Sequence, residues 1–131
     1  MKDIETAFDE WLDSLPQLCK LWVDDVRPAP DGWVWVKSYD EAIKVLIEND
    51  VTDISLDHDL GMRVTGISKD GIVFAREVEA KTGYDVACWI EQRLNDNPEW
   101  LPPLITSHSA NPVGKRRIEM VARKINGGHN A

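Results

Sequence analysis

Cysteine, histidine, positive charge and long apolar runs are all scarce in this chain of 131 residues. Only Cys19 and Cys88 occur, far apart and each beside apolar residues, which excludes a disulfide scaffold or zinc knuckle and predicts reduced, packed thiols. No stretch approaches the roughly 20 apolar residues that span a bilayer. The start, MKDIETAFDEWLDS, lacks the basic end and apolar run of a secretory signal, so the expected location is the cytoplasm. Fifteen Lys and Arg stand against 23 Asp and Glu, for a net charge of −8 and a pI near 4.8. That field opposes membrane binding and general DNA binding, so a phosphate ligand has to be met by local charge.

What is present is an ordinary globular composition, 43% hydrophobic and 29% charged, at a length that buries one core. No repeat, low-complexity tract or linker divides it, and residues 1–131 read as a single domain. Phe8, Trp11, Leu12 and Leu15 recur at helical spacing and predict an N-terminal helix within residues 1–17, ended by Pro16. Strands are expected at 18–24, 34–38, 53–57 and 103–109, and helices at 40–49, 84–94 and after Pro112. Alternating strands and helices imply an α/β fold with a parallel sheet of about four strands. The segment 62–82 interrupts this rhythm with two alternating stretches around Lys69-Asp70-Gly71 and reads as an inserted β-hairpin arm, a candidate contact for a homodimer.

In an open α/β sheet, ligands bind beyond the carboxyl ends of the strands. Strand one ends in Asp24-Asp25-Val26-Arg27 and strand three in Asp57-His58-Asp59. If extension persists, Asp57 and Asp59 share a face and His58 points away. Four carboxylates gathered at one edge repel one another unless protonated or neutralised, and hard oxygen donors favour Mg²⁺ or Mn²⁺, so Asp24, Asp25, Asp57 and Asp59 are the candidate metal ligands.

The fourth strand ends in Thr106-Ser107-His108-Ser109-Ala110-Asn111-Pro112. Asn111 and Pro112 mark a helix start, whose free N–H groups at Val113 and Gly114, together with Lys115, Arg116 and Arg117, form a candidate phosphate site. His108 is the candidate general acid or base, because its unperturbed pKa lets it carry a proton either way near neutrality. Ser109 is a candidate phosphate ligand or nucleophile, and His58 a candidate ligand or base. Trp33 and Trp35 alternate on strand two and share one face. Base stacking is open to them, but packing is the reading taken, and Trp22, Trp89 and Trp100 are assigned to the core.

The acidic pair after strand one, Asp57 after strand three and Ser109-Ala110 after strand four resemble the receiver domain of response regulators. The resemblance implies Asp57 as phospho-acceptor, Asp24 and Asp25 as the metal pair and Ser109 as the hydroxyl residue. Receivers also carry a Lys after a fifth strand, and no segment here supplies one; Lys115 is not its equivalent. The blocks LWVDDVRPAPDGWVWVKS, ISLDHDLG, TGYDVACWI and HSANPVGKRR are more similar to the divergent cyclic-phosphate-processing receiver domains. That resemblance implies a receiver-type (flavodoxin-like) fold and metal-dependent phosphoesterase action on a cyclic phosphate, such as that of an RNA end or an ADP-ribose derivative. Arg27 and residues 111–117 would then hold the phosphate of a small cyclic nucleotide ligand. The alternatives are a non-catalytic module that binds a cyclic nucleotide or a protein, and a degenerate phospho-receiver.

Overall fold

The strands of the central sheet are short and rich in Val, Ile, Leu and Trp, and Leu21, Val23, Ile54, Leu56 and Ile105 are buried on one face, which builds the core, although Ser55 is buried on the other. In the computed structural model, residues 4–15, 18–60, 64–67, 73–75 and 81–128 are described. Helix α1 (Ile4–Asp13) precedes β1 (Leu18–Val23), β2 (Trp33–Val36), α2 (Tyr39–Glu48) and β3 (Asp50–Leu56). Two short strands, β4 (Val64–Ile67) and β5 (Val73–Ala75), pair antiparallel. Helix α3 (Gly83–Asp96), β6 (Leu104–Ser107) and α4 (Pro112–Gly128) complete the chain. The turn Lys69-Asp70-Gly71 expected at the tip of the arm lies outside the described residues, as does most of the segment read as a dimer contact.

The main sheet is parallel throughout, in the order β2-β1-β3-β6. The strand expected at 53–57 begins three residues earlier, because Asp50 and Val51 continue the ladder alongside Leu18 and Cys19. Helix α4 runs through Gly127 and Gly128 rather than stopping before them. No described helix is long and apolar enough to cross a membrane.

Helices α2, α3 and α4 start at caps that the local sequence provides. The Ser38 hydroxyl accepts the Glu41 N–H at 3.2 Å, and the Glu41 carboxylate accepts the Lys37 N–H at 2.9 Å. Thr82 and Asp85 form a reciprocal capping box at the start of α3. Helices α2, α3 and α4 then bring Val45, Leu46, Val86, Ile90, Ile118 and Ile125 onto Leu21, Val23, Ile54, Leu56 and Ile105 of the sheet. Each such side chain contributes roughly 1.5–3 kcal/mol by leaving water. Leu12 of α1 joins the same core, whereas Trp11 is exposed and meets Phe8 at 5.2 Å.

All the strand residues in this core lie on one face of the sheet. The opposite face carries two rows set by the register: Trp35, Trp22, Ser55 and Thr106, and Trp33, Lys20, Asp53 and Leu104. Trp89 and Trp100 pack against the core as expected, but Trp22 does not, since the alternation that buries Leu21 and Val23 turns it to the other side.

Candidate functional site

Three residues that follow strands remain tied to the sheet by one backbone hydrogen bond each. Asp24 N–H donates to Val36 O at 3.1 Å, Asp57 N–H to Val23 O at 2.9 Å and His108 N–H to Leu56 O at 3.1 Å. The ladder thus carries one residue past its formal end on β1, β3 and β6, and that fixes where these side chains emerge. Carboxylate oxygens of Asp24, Asp25 and Asp57 lie within 4.8 Å of one another. At that spacing, two full charges repel by about 3 kcal/mol at an effective dielectric near 20.

Asp24 is completely buried and fully engaged. Its Oδ1 accepts the backbone N–H groups of Val26 and Arg27, both at 2.8 Å, and its Oδ2 pairs with His108 Nε2 at 2.9 Å. Burial pushes its pKa up, but the hydrogen bonds from Arg27, Val26 and His108 outweigh that and hold the carboxyl below its ordinary value. Asp25 behaves oppositely: burial first, then repulsion from Asp24, Asp57 and Asp59, raise its pKa. One acid is thus held ionised by the fold, while its neighbour has no ion pair among the described residues. Three hard oxygen donors with that deficit fit a cation of the Mg²⁺ or Mn²⁺ type, as in a receiver site.

Asp59 stands outside the group of three. Strand β3 ends at Leu56 and the chain bends at His58, so the alternation that would align Asp59 with Asp57 does not persist. Asp59 instead pairs with His58 Nδ1 at 2.9 Å, and Asp57 Oδ1 accepts the His58 N–H at 2.9 Å. The described residues give His58 Nε2 no partner. A Cβ on Gly114 would overlap the His58 ring, so α4 seats its first turn directly against that imidazole.

His108 is held on three sides. Its Nδ1 meets the Ser55 hydroxyl at 2.7 Å, its Nε2 meets Asp24, and its ring stacks on Trp22 at 3.7 Å and 7°. Both nitrogens are engaged, so the ring links a carboxylate to a hydroxyl and orients Asp24. Trp22 and Ser55 were missed as site residues. Lys20, beside Trp22 in the LCKLWVD run, marks the face away from the core, and that parity was the available signal.

The phosphate candidates separate. Arg27 Nη1 donates to His108 O at 3.0 Å, which brings the guanidinium to the acidic edge. Asn111 caps α4 as expected, but its Oδ1 accepts the Val113 and Gly114 N–H groups at 3.1 and 3.2 Å, so these donors are not free for an anion. Ser109 is buried and its hydroxyl accepts the Asn111 N–H at 3.1 Å, a turn-forming contact. Lys115 borders a shallow groove of about 490 Å³ along β6 with Glu119, Arg123 and Asn126. The Arg117 guanidinium lies 4.4 Å above the Tyr84 ring, and Arg116 is exposed. Consecutive helical residues point about 100° apart, so the three cations cannot share one direction.

No curated protein and no solved structure matches the chain. A family model, the cyclic-phosphate processing Receiver domain, matches residues 19–124, a span that runs from β1 into α4 and holds every carboxylate of the group of three. This chain belongs to the cyclic-phosphate processing receiver domain family.

Proposed function

We propose that the protein is a metal-dependent phosphoesterase that opens a cyclic phosphate on a nucleotide-type substrate. The observation that carries this reading is the approach of Asp24, Asp25 and Asp57 in a chain of this family. Asp25 and Asp57 are the ligands with capacity to spare, and Asp24 fixes the loop that presents Asp25 through its bonds to Val26 and Arg27. A bound Mg²⁺ or Mn²⁺ would supply charge neutralisation and polarisation of a phosphoryl oxygen.

Arg27 supplies the positive charge for the phosphate, because the remaining guanidinium donors suit paired oxygens. The proton is handled by His58, whose Nδ1 is oriented by Asp59 as a carboxylate orients a catalytic imidazole. His108 keeps Asp24 ionised and in place.

Turnover of a panel of 2′,3′-cyclic nucleotides with Mn²⁺ tests this, with Asp57→Asn and His58→Ala alongside. Opening of the cyclic phosphate by the wild type and a large loss in both variants is expected. Absence of turnover, or equal turnover by the variants, overturns it. The full engagement of Asp24, which leaves Asp25 and Asp57 to an ion, favours a second reading, capture of the cyclic phosphate without hydrolysis; calorimetric binding with the ligand recovered unchanged would establish it.

A further inference from the structure

Parallel sheets are normally covered on both faces by their crossover helices. Here β1 passes to β2 through residues 24–32 without a helix, and the described core draws on one face alone. The other face holds three half-buried tryptophans, Trp22, Trp33 and Trp35, which do not belong to the core. Trp22 and Trp33 meet edge to face at 6.1 Å. Two of the three indole N–H groups are spent on the acidic loop: Trp22 Nε1 donates to Arg27 O at 3.0 Å and Trp35 Nε1 to Asp24 O at 2.6 Å. These rings are therefore pinned to the backbone of the candidate site itself.

Charge on this face is arranged differently from that of the chain as a whole. Lys20 lies 5.6 Å from the Trp33 ring centre and Lys37 lies 4.5 Å from that of Trp35, with Arg27 at the Lys37 end of the strands. Asp53 stands on the β3 side of Lys20, so the basic, aromatic strip is confined to β1 and β2.

We infer that the β1–β2 face is a stacking platform for an unpaired RNA strand, whose bases lie on Trp33 and Trp35 while Lys20 and Lys37 meet its phosphates. Fixed aromatic rings interleaved with cations are what a single-stranded nucleic acid requires, because every base offers a π-face and every linkage a charge. Each lysine lies over the ring face a base would take, so stacking needs the ammonium to move onto a phosphate, an exchange that a nucleic-acid strand supplies and an apolar protein surface does not. Two side-by-side rows give room for more than one base, which a mononucleotide would not fill. The inference rests on the proposed function for the identity of the group at the acidic edge, and it gives that substrate a strand.

The test is fluorescence anisotropy of a labelled short oligoadenylate with an ordinary 3′-hydroxyl, which needs no turnover, with tryptophan quenching as a second signal. The wild type is expected to bind the single strand with quenching and to bind the corresponding duplex more weakly. Trp33→Ala should weaken binding by about tenfold or more. Lys20→Glu should weaken it and flatten its salt dependence, whereas Lys124→Ala, on α4, should leave it unchanged. No binding, equal binding of the duplex, or equal binding by Trp33→Ala and Lys20→Glu overturns the inference. Concentration-dependent self-association abolished by Trp33→Ala also overturns it, by assigning the face to a second copy. Oligonucleotide binding without turnover of cyclic mononucleotides would defeat only the proposed function; turnover without oligonucleotide binding would defeat only the platform.

Discussion

Gly83, the first residue of α3, approaches the Asp57 carbonyl so closely that a Cβ there would overlap the oxygen. Its N–H also donates to His58 O at 2.9 Å. The helix therefore braces the backbone of a candidate metal ligand.

Gly83→Ala should accordingly destabilise the fold by about 1–3 kcal/mol, toward the upper end because the obstacle is backbone. It should also reduce the rise in Tm produced by Mn²⁺, since Asp57 has to shift. Gly32→Ala is the control. At φ +86° with open space around it, an alanine in place of Gly32 incurs only conformational strain, about 1 kcal/mol, and the Mn²⁺ effect should survive. Urea unfolding and thermal melts with and without Mn²⁺ read both quantities.

Asp25→Asn should raise the metal-free Tm while removing most of the Mn²⁺-induced increase. Burial and then Asp24, Asp57 and Asp59 disfavour its charge, so neutralising it relieves the fold. A mutant that lost stability without metal would show that Asp25 has a compensating partner.

Acid should act on the two neighbours with opposite sign. The folded pKa of Asp24 lies below the ordinary 3.8, so its contribution is complete above that value and is lost as pH falls toward the folded one. The folded pKa of Asp25 lies above 3.8, so the metal-free fold gains from this group as pH falls through that window. Metal affinity should therefore decline at a higher pH than an ordinary aspartate would give, before the acid unfolding that Asp24 governs. Mn²⁺ titrations and urea melts across pH 3–6 separate the two events.

Removing the imidazole by His108→Ala leaves the buried Asp24 Oδ2 without its partner and should cost about 3 kcal/mol. His108→Gln, which can still donate a hydrogen bond, should recover part of that loss. Equal destabilisation by both would locate the role of His108 in its stack on Trp22.

Asn111→Ala should cost about 1 kcal/mol by removing the cap on Val113 and Gly114. Asn111→Asp should restore it. If the cap is its whole contribution, phosphate affinity measured by calorimetry should not follow the loss.

The order of elements and the meeting of Asp24, Asp25 and Asp57 were readable because both depend on local rules: hydrophobic period, caps, and the edge of a parallel sheet where loops begin. The roles within the edge were less readable. Trp22 and His108 are 86 positions apart in the chain, and only the finished sheet stacks one on the other. Strand parity in LCKLWVD did carry half of that information, since Lys20 and Trp22 share a face that Leu21 and Val23 leave. Lys115, Arg116 and Arg117 read as one cluster in a line of text, but a helix distributes them. Asp59 was misaligned because one bend at His58 cancels the strand period.

The hydrogen bond from the Gly83 N–H to His58 O joins residues 25 positions apart in the chain and closes the loop between them at its stem. A loop with such a closed stem can lengthen, shorten or change composition at small entropic expense without moving the acids below it. The length of chain between His58 and Gly83 and the placement of the carboxylates can therefore vary separately, because the closing bond and the strand ladder, not the intervening residues, hold Asp57 where it is.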